Sequence, residues 1–197
     1  MSNISIINKA VKVFKNGGVV IFPTDTVWGI GVSIDQLDAI QRLYQIKKRR
    51  KSKPTAVLVG SFSQAKALGK INKTARNLIK KYWPGGLTIV VKAKKGVPKI
   101  IQGKKGTVGL RMPNDKLILK ILQKLGKGIV ASSANFAGQT IPATRKEINS
   151  YLIKTADLLI EGESKGDLAS TVVDFSKKPF KVLREGIIAS GKLPLDK

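Results

Sequence analysis

Residues 19–54 read VVIFPTDTVWGIGVSIDQLDAIQRLYQIKKRRKSKP. The stretch opens on four apolar residues, Val19, Val20, Ile21 and Phe22, the pattern of a buried strand. Pro23 stops that strand, because it has no N–H for the ladder and restricts the residue before it. Thr24, Asp25 and Thr26 then set two hydroxyls and a carboxylate at the strand's end. A second strand is expected from Val27 to Val32, with Gly29 and Gly31 where backbone can come close to a ligand. Leu37, Ile40, Leu43 and Tyr44 recur at helical spacing, so a helix is expected over 36–46, and Asp35 can cap it. The helix delivers Lys47, Lys48, Arg49, Arg50, Lys51 and Lys53. A polar strand end facing a dense basic cluster is what an anionic substrate needs.

On the N-terminal side, Ile4, Ile7, Val11 and Phe14 predict a helix over 3–16, capped by Ser2 or Asn3 and ended by Gly17 and Gly18. On the C-terminal side, strands are expected at 56–59, 87–91, 107–112, 128–131 and 158–160. Helices are expected at 62–69, at 73–82 with Asn72 as cap, and at 116–125 with Asp115 as cap and Leu117, Ile121 and Leu125 inward. Another is expected near 145–152, where Thr144 and Glu147 have capping-box spacing. Trp83-Pro84-Gly85-Gly86 breaks the chain, and 96–105 reads as a basic loop. Thr171–Phe175 and Lys181–Arg184 predict a hairpin. Strands and helices interleave without strict alternation. That predicts an α/β (α+β) fold, one domain over 1–197 with a core at about 5–190 and a short C-terminal tail, built on one large mixed sheet.

Composition narrows the chemistry. The 197 residues include no cysteine and no histidine, which excludes thiolate nucleophiles, Ser-His-Asp triads and His- or Cys-ligated zinc. Catalysis is left to carboxylates, hydroxyls, lysine, arginine, or Mg²⁺ brought on substrate phosphates. No apolar run reaches the ~18 residues of a membrane span, and the N-terminus lacks a signal-peptide core, so no membrane association and a cytoplasmic location are expected. The net charge of +25 points to nucleic acid or a polyphosphate as partner, or else to a lysine-biased surface.

Polar residues recur where apolar strands end: Thr24 to Thr26, Thr107, Arg111, Ser132, Ser133 and Asn135, and Ser170 with Thr171. Each island alone reads better as a cap or turn former, whereas five in one domain shift the balance toward a shared site. Arg111, between Leu110 and Met112, is expected to be half buried and to need an anionic partner. Lys47 and Arg49 are expected to meet one anion only where the chain is extended. Asp25 and Asp174 suit either Mg²⁺ binding through water or capping. The chain has neither a P-loop nor a Rossmann fingerprint.

The motifs PTDTVWGIG, K-x-R-x-x-x-K-P at Lys47–Pro54, WPGGLT at 83–88, LRMP at 110–113, SSANFAG at 132–138, STVVD at 170–174 and LREG at 183–186 resemble the YrdC family in order and spacing. The resemblance covers about residues 5–190. It implies a twisted mixed sheet with helices outside and a basic concave cavity. It also implies L-threonylcarbamoyladenylate synthase activity: L-threonine, bicarbonate and ATP with Mg²⁺ give threonylcarbamoyl-AMP and pyrophosphate. Downstream transfer proteins would then pass the group to tRNA. Carried over motif by motif, the resemblance places threonine near Thr26, Arg111, Ala131 and Ser170. It places ATP near Arg49, Lys53, Thr107, Ser133, Asn135, Ile141 and Arg184, and ties Lys47 and Arg49 to catalysis. Trp28, Arg50, Ala137 and Ile141 depart from the family pattern, and none of these changes removes a charged group. The competing expectation is a non-catalytic protein that binds tRNA or double-stranded RNA in the same cavity.

Overall fold

The computed structural model describes residues 3–50 and 52–193. Ser2, offered above as a cap, and Lys51 of the basic cluster lie outside the described residues. The strands are β1 (Val20–Phe22), β2 (Gly29–Ser33), β3 (Ala56–Leu58), β4 (Gly69–Lys70), β5 (Leu87–Ala93), β6 (Thr107–Arg111), β7 (Ile129–Ser133), β8 (Leu158–Leu159), β9 (Thr171–Asp174) and β10 (Lys181–Arg184). The helices are α1 (Asn3–Lys15), α2 (Leu37–Ile46), α3 (Phe62–Leu68), α4 (Lys73–Tyr82), α5 (Lys116–Leu125) and α6 (Ser150–Thr155). The strands form one sheet in the order β10-β9-β5-β6-β3-β7-β2-β1-β8, with β4 added to β5. The pairs β1·β8, β3·β6 and β5·β9 are parallel and the others antiparallel, so the sheet is mixed as expected.

Successive strand residues point to opposite faces, and here the two faces differ in chemistry. Val57, Ile89, Val91, Leu110, Val130 and Val173 join one apolar cluster with Ile40 and Leu43 of α2, Ala65 of α3 and Leu78 of α4. On the other face Leu58, Ile129 and Ala131 pack with Ile7 and Phe14 of α1 and Ile121 and Leu122 of α5. Farther along this second face, over β5, β6 and β9, the alternate residues Thr88, Val90, Thr107, Gly109, Arg111, Val172 and Asp174 line a cavity. The period-two rule therefore sorts a core from a site within the same strands.

Several local expectations are corrected. Asp35 does not cap α2: its carboxylate accepts a hydrogen bond from the Ser33 hydroxyl at 2.6 Å, and Gln36 sits at the cap without a side-chain bond. Leu37 is exposed, and the inward face of α2 is Ala39, Ile40, Leu43, Tyr44 and Ile46. In α5 the inward set also holds Ile118 and Leu122, while Leu117 is half-buried. The helix expected near 145–152 divides into a 3-10 turn, Arg145–Glu147, and α6, capped by Asn149. The cause is local: the Thr144 hydroxyl donates to Glu147 instead of accepting from the backbone, and Ile148 is extended. Gly29 lines that cavity, as expected for backbone near a ligand, while Gly31 does not, and both glycines also answer to packing. A Cβ on Gly29 would stand 2.8 Å from the Phe22 ring, and one on Gly31 2.7 Å from the Val130 carbonyl oxygen. Asn72 and Asp115 cap α4 and α5 as expected.

Candidate active site

The cavity holds about 420 Å³ and lies at the end of the strand opened by residues 19–22. The turn that starts it is self-sufficient. The Thr24 hydroxyl accepts from the Thr26 and Val27 amides and donates to the Val27 carbonyl at 2.7 Å. Thr24 is thus a turn former, and it fixes Thr26, whose hydroxyl sits 3.0 Å from its own.

Arg111 is 6% exposed at the end of β6. Its Nη1 donates to the Thr26 hydroxyl at 2.7 Å, its Nη2 to Asp25 at 2.6 Å and its Nε to the Gly85 carbonyl at 3.0 Å. The anionic partner expected for a guanidinium in an apolar strand is therefore Asp25, through its Oδ1. Burial draws Arg111 down from its ordinary pKa, and the Asp25 charge beside it pulls the other way. Asp174 lines the cavity and also accepts the Ser176 amide, the capping role open to it.

Arg184 reaches across from β10. Its Nε and Nη2 both donate to the Ser170 carbonyl, and Nη2 lies 3.1 Å from the Ser170 hydroxyl. The Ser170 hydroxyl also meets Thr88 at 2.7 Å. Arg184 is drawn below its ordinary pKa by burial first, then by the Arg111 and Arg49 charges. Three guanidinium groups from distant segments thus share one cavity and repel one another, the arrangement that an anionic ligand relieves.

Arg49 lines the same cavity and donates to the Lys53 and Pro54 carbonyls. Lys47 does not reach the group that Arg49 reaches. Lys48 takes a left-handed conformation, φ +48°, which turns the chain between them. Lys47 points inward, is 2% exposed, and donates to the Ser133 and Asn135 carbonyls. Thr26, Arg49, Thr107, Arg111, Ala131, Ser133, Ser170 and Arg184 therefore come together as cavity lining. Lys47, Lys53, Asn135 and Ile141 are not part of that lining. Lys53 is exposed, while Asn135 accepts the Ser133 hydroxyl at 2.6 Å and so stands just behind the wall. Thr55 and Thr88 were missed in the sequence. Both are buried hydroxyls in the lining, and Thr88 within the apolar run Leu87–Val91 is the signal that would have marked it.

Residues 12–186 match the family model Sua5_yciO_yrdC, described as telomere recombination. The chain belongs to the Sua5/YciO/YrdC family. Among its family relatives, a Pyrococcus abyssi protein named threonylcarbamoyl-AMP synthase is 33% identical over 174 residues, 87% of this chain and 51% of the relative. This chain thus spans about half the length of that relative. A Methanocaldococcus jannaschii protein named putative threonylcarbamoyl-AMP synthase is 33% identical over 181 residues, 90% of this chain and 84% of the relative. Among solved structures, P. abyssi Sua5 complexed with L-threonine superposes with a TM-score of 0.89 at 32% identity, covering 94% of this chain and 55% of the other. Escherichia coli YciO gives 0.87 at 28% identity, covering 95% and 92%.

Proposed function

We propose that the chain is an L-threonylcarbamoyladenylate synthase, a nucleotidyltransferase acting on L-threonine, bicarbonate and ATP. One observation carries this reading: the Thr26–Arg111 and Ser170–Arg184 pairs stand in the same cavity, which unites the residues expected for threonine with those expected for ATP. The threonine-bound Sua5 structure supports the amino-acid half.

The threonine amine adds to carbon dioxide from bicarbonate, giving a carbamate with loss of water. A carbamate oxygen then attacks the α-phosphorus of ATP, and the bond to the leaving pyrophosphate breaks. Such a displacement needs positioning and charge neutralisation more than a protein nucleophile, which suits a chain without cysteine or histidine. Among the described residues, three of the five Arg111 N–H groups hold Gly85, Thr26 and Asp25, and the other two suit the threonine carboxylate. The Thr26 and Ser170 hydroxyls take the substrate's polar groups. Arg49 and Arg184 meet the phosphates, with Thr107 and Ser133 beside them. Lys47 serves as a positioning residue, tying the Ser133 and Asn135 carbonyls to the end of α2. Among the described residues no group of three or more His, Cys, Asp or Glu side chains is placed to hold a metal ion. Mg²⁺ is proposed only as the companion of ATP phosphates. The product would feed proteins that transfer its threonylcarbamoyl group to tRNA.

The test is pyrophosphate release with threonine, serine or no amino acid, with and without bicarbonate. Release is expected only with threonine and bicarbonate together, and Arg111→Ala is expected to raise the threonine KM at least tenfold, about 1.4 kcal/mol. Release independent of amino acid, or an unchanged KM, defeats the assignment.

A further inference from the structure

Away from the cavity, a second cleft of about 350 Å³ opens where α3, β4, the start of α4 and the chain after β5 converge. Ala65 of α3 and Ala75 of α4 pack into the cluster that carries Ile89 and Val91, so this cleft belongs to the sheet face opposite the cavity. The two clefts share no lining residue. Lys66, Lys70, Arg76 and Lys94 line the second one around the half-buried ring of Phe62. Arg76 stands 5.5 Å and Lys66 6.0 Å from the ring centroid.

The charge here is unbalanced by construction. All four cations are exposed, and none joins an ion pair among the described residues. Lys70 pairs with Lys92 directly across β4 and β5, an arrangement of like charges that weakens a ladder. Between Asp38 and Asp115 the chain contains no Asp or Glu at all. A surface merely enriched in lysine would intersperse acids and avoid facing cations. This one keeps a repulsive arrangement that a polyanion would relieve.

We infer that this cleft binds a single-stranded nucleic-acid segment, its lysines on successive phosphates and a base against the Phe62–Arg76 surface. Lysines suit phosphates as point charges, and an aromatic ring beside a guanidinium is the platform on which bases stack without sequence preference. The site is independent of the reaction proposed for the cavity.

The experiment is fluorescence anisotropy of a short fluorescein-labelled single-stranded RNA across a potassium chloride series. The combined variant Lys66→Gln, Lys70→Gln, Arg76→Gln, Lys94→Gln is expected to bind at least tenfold more weakly. Its slope of log affinity against log salt should fall by roughly 2, the loss of about three lysine–phosphate contacts on a single strand. Phe62→Leu alone is expected to weaken binding about tenfold. A control removing the same charge elsewhere, Lys12→Gln, Lys116→Gln, Lys120→Gln, Lys154→Gln, should lose less than about threefold. Circular-dichroism melting confirms that each variant is folded, and unchanged pyrophosphate release, where the chain has that activity, shows that the cavity is intact. Equal losses in the cleft and control variants overturn the site. Poly-glutamate binding as tightly as the RNA at equal salt overturns nucleic acid as its partner.

Discussion

Lys47 ends α2 with its ammonium turned inward, and burial, followed by the nearby Arg49 charge, lowers its pKa from 10.5 to about 7. The unfolded chain then holds a proton that the folded chain has shed between about pH 7 and 10.5, so this residue makes stability rise with pH through that window. Lys47→Met keeps the stem and removes the titration. In urea unfolding, wild type is expected to gain on the variant by roughly 1 kcal/mol per pH unit from pH 7 to 9. A difference that stays flat or shrinks would mean that the Ser133 and Asn135 carbonyls keep the ammonium charged. Arg111 shows what a single residue tells in sequence. A guanidinium between Leu110 and Met112 is expected half buried and paired; it is paired, and it is buried more deeply than expected. That the partner is Asp25, 86 positions away, depends on strand order, which no local pattern carries.

Between β10 and the segment entering β9, the chain comes close enough to exclude a side chain. A Cβ on Gly186 would stand 2.2 Å from the Ala169 carbonyl oxygen, 2.6 Å from the Ser170 carbonyl carbon and 2.7 Å from the Thr171 nitrogen. All three are backbone and cannot step aside as a side-chain tip would. Gly186→Ala is expected to cost about 1–3 kcal/mol of stability and to shift Ser170, which Arg184 grips, lowering affinity at the site. Gly191→Ala, with nothing within 4 Å, is the control and should unfold at the wild-type urea midpoint. Equal midpoints for the two variants would show that the loop yields freely. At this scale the strands and the caps at Asn72 and Asp115 were legible, because apolar runs and capping side chains act within a few residues. The capping-box spacing at Thr144 and Glu147 misled for a physical reason: the two side chains bond to each other, and the helix begins only after Asn149.

Across the molecule, Arg49 after α2, Arg111 on β6 and Arg184 on β10 are brought to one cavity by a sheet that is not ordered as the chain is. Their mutual repulsion is borne by the fold until anions arrive, so ligands that bind only the folded chain must stabilise it. ATP at about one hundred times its Kd is expected to add about 2.7 kcal/mol. For a chain of this size that is a rise in Tm of roughly 5–10 °C. Threonine should give a separate rise. Arg49 touches the Lys53 and Pro54 carbonyls and makes no bond to Thr26, Arg111 or Ser170, so Arg49→Ala is expected to lose most of the ATP shift and keep the threonine shift. Differential scanning fluorimetry with each ligand alone separates the two. Loss of both shifts together would mean that nucleotide and amino acid depend on one indivisible cluster of charge rather than on neighbouring subsites.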